Sequence, residues 1–189
     1  SQRLEENFSW TETLCSISTS EARWNFAVRA QTSYPDAFVT HFPVQDRQAT
    51  WTERGEFNAN NLTSVVGADL DNPLTDPLPT EAGAASEVDS DQDGNPGVTV
   101  NVAGAVSGSV YVAQRSIINL RGRERDDGRI EGLWESNDQQ VVLGASNRIL
   151  NRAVENRRDP EAASSFFVMV PIGDDWDCSD INANIDQLF

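Results

Sequence analysis

Apolar and polar residues alternate with a period of two along most of this chain. In Val98-Thr99-Val100-Asn101-Val102 the valines fall on one face and the polar side chains on the other. Trp24, Phe26 and Val28 share a face in the same way within Trp24–Ala30. The pattern recurs at Ala37–Val44, Ala49–Phe57, Leu62–Val66, Ser109–Gln114, Ile117–Arg123, Arg129–Trp134, Gln139–Leu143 and Ser165–Val170. Segments of this length and alternation, separated by Gly, Pro, Asn and Asp, predict about ten short, half-buried strands. Asp127-Gly128 supplies a hairpin turn between the strands around 117–125 and 129–134, because Asp-Gly tolerates positive φ. The expected fold class is all-β, an antiparallel barrel or sandwich that is calycin- or lipocalin-like if it closes. One segment departs from the pattern. Ile149, Leu150, Ala153 and Val154 recur at helical spacing, which predicts a short helix near 149–158 ended by Asp159-Pro160.

The alternation stops between Gly67 and Gly97. This stretch is rich in proline, carries eight acidic residues and has no arginine. The chain reads as one β domain over 1–189 with a long excursion at 67–97. Asp69–Ala85 is expected to be mobile or to extend along the surface. The second half is expected to order only where a cation offsets its crowded carboxylates.

That second half contains Asp89-Ser90-Asp91-Gln92-Asp93-Gly94-Asn95. Three carboxylates at alternate positions, followed by a glycine where the chain turns back, are how a protein wraps oxygen ligands around Ca²⁺. Asp89, Asp91 and Asp93 occupy positions 1, 3 and 5 of a calcium loop, and the carbonyl of Asn95 occupies position 7. Position 12, where an EF-hand has a bidentate glutamate, is Val100 inside a strand. The loop is therefore a calcium turn leading into a strand, with Glu87 as the nearest candidate for the missing ligand. The competing reading is a solvated acidic turn.

Asp-x-Asp-x-Asp-Gly-x-Pro-Gly-Val-Thr-Val is followed by Val110–Arg115, Arg129–Gly132 and Gln140–Ser146. Over residues 89–147 this series resembles a set of exported bacterial proteins of unassigned function. The resemblance implies an exported β-rich domain and no particular chemistry.

Charge narrows the partners. Thirty acidic residues against fourteen basic ones leave a net charge of -16, which repels nucleic acid and anionic lipid. No apolar run approaches the ~18 residues of a membrane span. The fourteen basic residues are all arginine, so lysine chemistry is excluded. Cys15 and Cys178 lie near opposite ends, and a disulfide between them is expected in a secreted or cell-surface protein whose export signal has been removed. Arg121, Arg123 and Arg125 alternate along one strand with Arg129 on the return. They form either a solvated face of cross-strand ion pairs or a docking point for a partner. With the acidic excursion on another face, that stripe favours head-to-tail association with a second copy or with another extracellular protein.

Catalytic signals are sparse. His41 is the single histidine and has no glycine-framed serine nearby. Glu53, Glu56, Glu131 and Glu135 are candidate glycosidase carboxylates only where two of them face each other across a cleft. The sequence therefore reads as a non-catalytic, exported, Ca²⁺-stabilised domain with a structural, assembly or binding role. A barrel holding an apolar ligand is the alternative, and a carboxylate hydrolase the second.

Overall fold

The computed structural model describes residues 5–19, 21–25, 28–151 and 165–189. Its strands are β1 (Glu5–Glu12), β2 (Glu21–Asn25), β3 (Val28–Ser33), β4 (Gln45–Thr52), β5 (Glu56–Val66), β6 (Val98–Gly104), β7 (Gly108–Glu124), β8 (Ile130–Ala145) and β9 (Phe166–Met169). Helices α1 (Asp36–His41) and α2 (Cys178–Leu188) complete the described elements. All nine strands join one antiparallel sheet, in the order β1-β4-β5-β7-β6-β3-β2, with β8 on the other edge of β7 and β9 beyond it. The all-β, sandwich-like class expected from the alternation is correct. The sheet does not close into a barrel among the described residues.

The organising element is the hairpin of β7 and β8. Two predicted strands merge into β7 because the alternation continues through Arg115 and Ser116, and two more merge into β8. The pair runs from Val110↔Ala145 to Glu124↔Ile130 and is closed by a tight turn in which the Gly128 amide donates to the Arg125 carbonyl. Along its opposite edge β7 has two partners in succession. Its first part pairs with β6, from Val102↔Gly108 to Val98↔Val112, and its later part with β5, from Val66↔Gln114 to Glu56↔Arg123. Two wings of sheet thus diverge from one long strand.

Even-numbered β7 residues face inward. Val110 and Val112 join Phe38, Val66, Val98, Val102 and Leu150 in one apolar cluster. Leu120 joins Ala49, Phe57, Ala59, Leu62 and Ile130 in a second. The core therefore has two centres, one per wing.

Several expected elements take another form. The predicted strand Ala37–Val44 is α1: Tyr34, Phe38 and Phe42 lie four residues apart, and their rings pack at centroid distances of 4.5 and 5.4 Å. Pro35, extended at φ -67°, starts this helix. Ala49–Phe57 is interrupted at residues 53–55, which turn β4 into β5. The run Trp24–Ala30 spans the antiparallel pair β2 and β3, with residues 26–27 outside the described set. Of the helix expected at 149–158, residues 149–150 form a turn and 152–158 lie outside the described residues.

The excursion also differs from expectation. Asp69–Ala85 folds into hydrogen-bonded turns on the outer face of the sheet, where Leu78 is buried. Arg115, on the outward side of β7, is itself buried and donates to the carbonyls of Pro73 (3.0 Å) and Asp76 (2.7 Å), and to Gln139 Oε1 on β8. A guanidinium whose Nη1 is held by two backbone carbonyls ties an acidic, proline-rich segment down without needing its side chains. The two feet of the excursion, Gly67 and Gly97, meet over Val112. Both have positive φ (75° and 77°), and a Cβ on either would collide with the Val112 carbonyl.

Replacing Gly97 by Ala should therefore cost at least about 2 kcal/mol in urea unfolding. The same change at Gly83, which has φ +80° but open space around it, should cost about 1 kcal/mol. Equal losses at the two sites would show that the feet do not touch β7.

Cys15 and Cys178 form the expected disulfide, with their Cα atoms 5.0 Å apart. It attaches α2, which starts in a capping box between Asp177 and Asp180 and buries none of its residues. Asn182 Nδ2 donates to the Cys15 carbonyl at 3.1 Å beside it. Such a bond is consistent with an extracellular protein. Reduction should lower stability by up to about 5 kcal/mol on the loop-entropy model. Amide exchange should accelerate first in α2, and unchanged exchange there in reductant would refute this attachment.

Candidate functional site

Asp89, Asp91 and Asp93 converge as the spacing predicts. One carboxylate oxygen from each lies within 4.8 Å of the others. The loop around them is made by its own carboxylates. Asp89 accepts the amides of Asp93 (3.2 Å) and Gly94 (2.8 Å), while Asp93 accepts the Asn95 amide (2.8 Å) and the Thr99 hydroxyl (2.5 Å). Gln92 and Gly94 take positive φ values of 57° and 86°, which coils the chain tightly enough to bring alternate residues together.

Asp91 is the unusual member. It is 1% exposed, its Oδ2 accepts the Thr99 amide of β6 at 2.9 Å, and its Oδ1 has no hydrogen-bond partner among the described residues. A buried carboxylate oxygen without a donor is costly, and three carboxylates so close repel one another. At an effective dielectric of about 20, two charges within 4.8 Å of each other repel by at least about 3 kcal/mol. Burial pushes the Asp91 carboxyl above its usual range, and the neighbouring Asp93 and Asp89 add to the rise against the pull of the Thr99 amide. Burial also works to raise Asp93, but the Thr99 hydroxyl and the Asn95 hydrogen bonds outweigh it and lower that carboxyl. The arrangement fits a hard dication. Oxygens on opposite sides of a Ca²⁺ ion stand about 5 Å apart, the size of this cage.

Glu87, expected as a ligand, stands outside the triad. Its Oε1 accepts the Gly97 amide (3.0 Å) and its Oε2 the Gly83 amide (3.2 Å), so it braces the base of the excursion. Ser90 helps, accepting the Gly67 amide on its hydroxyl (2.8 Å) and donating its own amide to the Gly97 carbonyl (2.8 Å). Asn95 is half-buried, with its amide turned to Asp93.

Arg121 and Arg123 lie on the outer face of β7, the same face that carries Arg115 and the docked excursion, and Arg125 and Arg129 flank the turn into β8. The separation of the two charge blocks onto different faces, expected from the sequence, is not found. Arg121, Arg123 and Arg125 are exposed, and Arg129 is half-buried. Arg125 pairs with Glu131 at 2.9 Å and Arg129 with Asp127 at 3.4 Å, while Arg123 reaches the Arg54 carbonyl at 3.5 Å. Exposed pairs of this kind contribute little stability.

A second site, which sequence reasoning reached only as an alternative, is a cleft of about 640 Å³ on the inner face between the two wings. Aromatic residues from both core clusters line it, among them Trp10, Phe38, Trp134 and Phe167. Of the four glutamates considered for catalysis, none lines the cleft. Glu56 and Glu131 instead stand in register with Arg123, on either side of it. His41 caps the end of α1 with its Nδ1 3.0 Å from the Ala37 carbonyl.

Comparison of the chain with protein families, characterised proteins and solved structures finds no match. Among the described residues, no helix is long and apolar enough to cross a membrane.

Tyr34 lines the cleft near Asp138. Burial, and then the charge of Asp138, raise its hydroxyl above the ordinary 10.0. The folded protein thus keeps this proton at pH values where the unfolded chain loses it. The contribution is intact below pH 10 and is lost as the pH rises through the folded value. Stability should fall with pH above about 10, and Tyr34→Phe should make that fall shallower in alkaline denaturation curves.

Proposed function

We propose that this chain is an exported, non-catalytic β domain, stabilised by Ca²⁺, that acts as a binding or structural component outside the cytoplasm. The observation that carries the reading is the unpartnered, buried Oδ1 of Asp91 inside the Asp89–Asp91–Asp93 cage. A carboxylate that is buried and only half satisfied is stabilising only when a cation completes it. Asp89, Asp91 and Asp93 supply the charged ligands, the Asn95 carbonyl a neutral one, and water the remainder. The ion holds the foot of the excursion against β6, because the Thr99 amide and hydroxyl bind the same carboxylates. The role is structural. The Cys15–Cys178 disulfide supports an oxidising, Ca²⁺-rich location.

The resemblance of residues 89–147 to exported bacterial proteins belongs to the same proposal. So does contact with a partner, a second copy or another extracellular protein, through the exposed Arg121 and Arg123. This contact ranks lower, because the excursion that would complement the stripe already lies along the same face.

Calorimetry in millimolar Ca²⁺ and in chelator tests the reading. A ligand present at one hundred times its Kd stabilises by about 2.7 kcal/mol, which raises the Tm of a chain this size by about 5–10 °C. Asp91→Asn separates a cation site from an acidic turn. In chelator the variant should be at least as stable as the parent, since a buried charge is gone, and in Ca²⁺ it should be less stable. Identical Tm values with and without Ca²⁺ in the parent protein would refute the proposal.

A further inference from the structure

We propose that the inner cleft binds an apolar molecule with a single hydrogen-bond-accepting head group, the chemistry of a medium-chain fatty acid. A small β domain ordinarily has one contiguous core. Here the clusters around Val112 and around Phe57 are separate, and the cleft lies between them. Its volume of about 640 Å³ falls within the range of small-molecule sites, roughly 300–1,000 Å³.

Strand register shows how the lining is graded. The row Ser64↔Ser116 crosses the middle of the cleft and is polar. The next row along β7, Leu62↔Ile118, is apolar, and Leu120↔Trp134 follows it. Gln114 precedes the polar row and donates its Nε2 to the Ser116 hydroxyl at 3.3 Å. The result is a polar waist between two greasy ends, matched to an amphiphile and poorly matched to a sugar or a nucleotide.

Arg47 decides the head group. It projects inward from β4, is 6% exposed, and lines the cleft. Its Nε donates to Glu12 Oε2 (3.0 Å), its Nη1 to the Thr63 carbonyl (2.8 Å) and its Nη2 to the Ser64 hydroxyl (2.8 Å). A guanidinium has five N–H donors, and its bonds to described residues use three of them. Among the described residues the carboxylate paired with it is Glu12, which is 47% exposed. The waist is therefore rich in donors, and a ligand oxygen that accepts is the complement. The site does not depend on the cation loop, which lies on the opposite face.

The test is titration of the intact, disulfide-bonded protein in Ca²⁺ with dodecanoate and with dodecanol, each below its aggregation limit. Quenching of tryptophan emission is the readout, since Trp10 and Trp134 line the cleft. Saturable one-to-one binding is expected, with dodecanoate strengthened by added salt because salt screens the net charge of -16. Ile118→Trp, which fills the cleft, should weaken both ligands at least about tenfold, and Arg47→Met should weaken dodecanoate about tenfold more than dodecanol. Ser64→Val is a milder second variant that removes one waist hydroxyl and should weaken dodecanoate by a smaller factor. Far-UV circular dichroism and the Tm confirm that each variant is folded. No saturable binding by the parent protein, or equal binding by a folded Ile118→Trp variant, overturns the proposal. Normal ligand binding with no Ca²⁺-dependent Tm shift would refute the cation reading and leave this one standing.

Discussion

The structure turns on the point along β7 where one partner strand gives way to another. β6 pairs as far as Val112 and β5 begins at Gln114, so the same edge of one strand passes between two neighbours within two residues. The acidic excursion leaves the sheet at the end of β5 and returns at the start of β6, which places both of its feet at that handover. Gly67 and Gly97 meet there because neither has a side chain to hold the backbones away from the Val112 carbonyl. A long loop whose ends are already adjacent adds little closure entropy beyond that of a short one. The fold can therefore carry a large insertion at its centre without splitting the sheet.

Both candidate sites are consequences of the same handover, on opposite faces. Outside, the excursion folds back over β6 and β7, and its last turn brings the aspartate triad against Thr99. Inside, the wings diverge where the partner changes: Val66 at the end of β5 still packs with Val98 and Val112, while Leu62 and Leu120 belong to the separate cluster around Phe57. The polar waist of Ser64, Gln114 and Ser116 sits at this level, so the apolar core divides there. An apolar row at the same height would favour collapse of the gap, and a polar row does not.

Much of this was legible in the residues. Strict alternation located most of the strands, since a period of two has no other physical source in a half-buried sheet. The calcium-type spacing brought Asp89, Asp91 and Asp93 together, and two cysteines near opposite ends found each other. Other features left no local trace. Ala37–Val44 is as rich in aromatic and β-branched residues as a strand, and only the four-residue spacing of Tyr34, Phe38 and Phe42 marked the helix. The docking of Asp69–Ala85 depends on Arg115, whose partners are backbone carbonyls some forty residues away in sequence. Carbonyl acceptors are the same at every residue, so no side-chain pattern announces them. The amide partners of Glu87 left no trace for a related reason: any residue offers an amide. The cleft was foreseen only as an alternative, an apolar cavity inside a closed barrel, because it is a property of diverging strands and of no single segment.

The outer face buries two charges of opposite sign, and they are not equivalent. Arg115 has both Nη groups engaged, spreading its charge over two carbonyl dipoles and the Gln139 amide oxygen, with Nε alone unpartnered. Asp91 has one amide bond, an oxygen with no donor, and two further carboxylates beside it. Backbone dipoles can solvate a cation from several directions at once because carbonyl oxygens at turns point away from the chain. They solvate a carboxylate equally well only where several amides converge on it, and here the converging amides are spent on Asp89, Asp93 and Glu87. The arginine thus has both Nη groups satisfied by the fold and one Nε left over, whereas the aspartate, crowded by two further carboxylates, is left with a deficit that no described side chain makes up. A divalent cation is the smallest addition that removes it, and it would do so at the base of the excursion, where the chain re-enters the sheet.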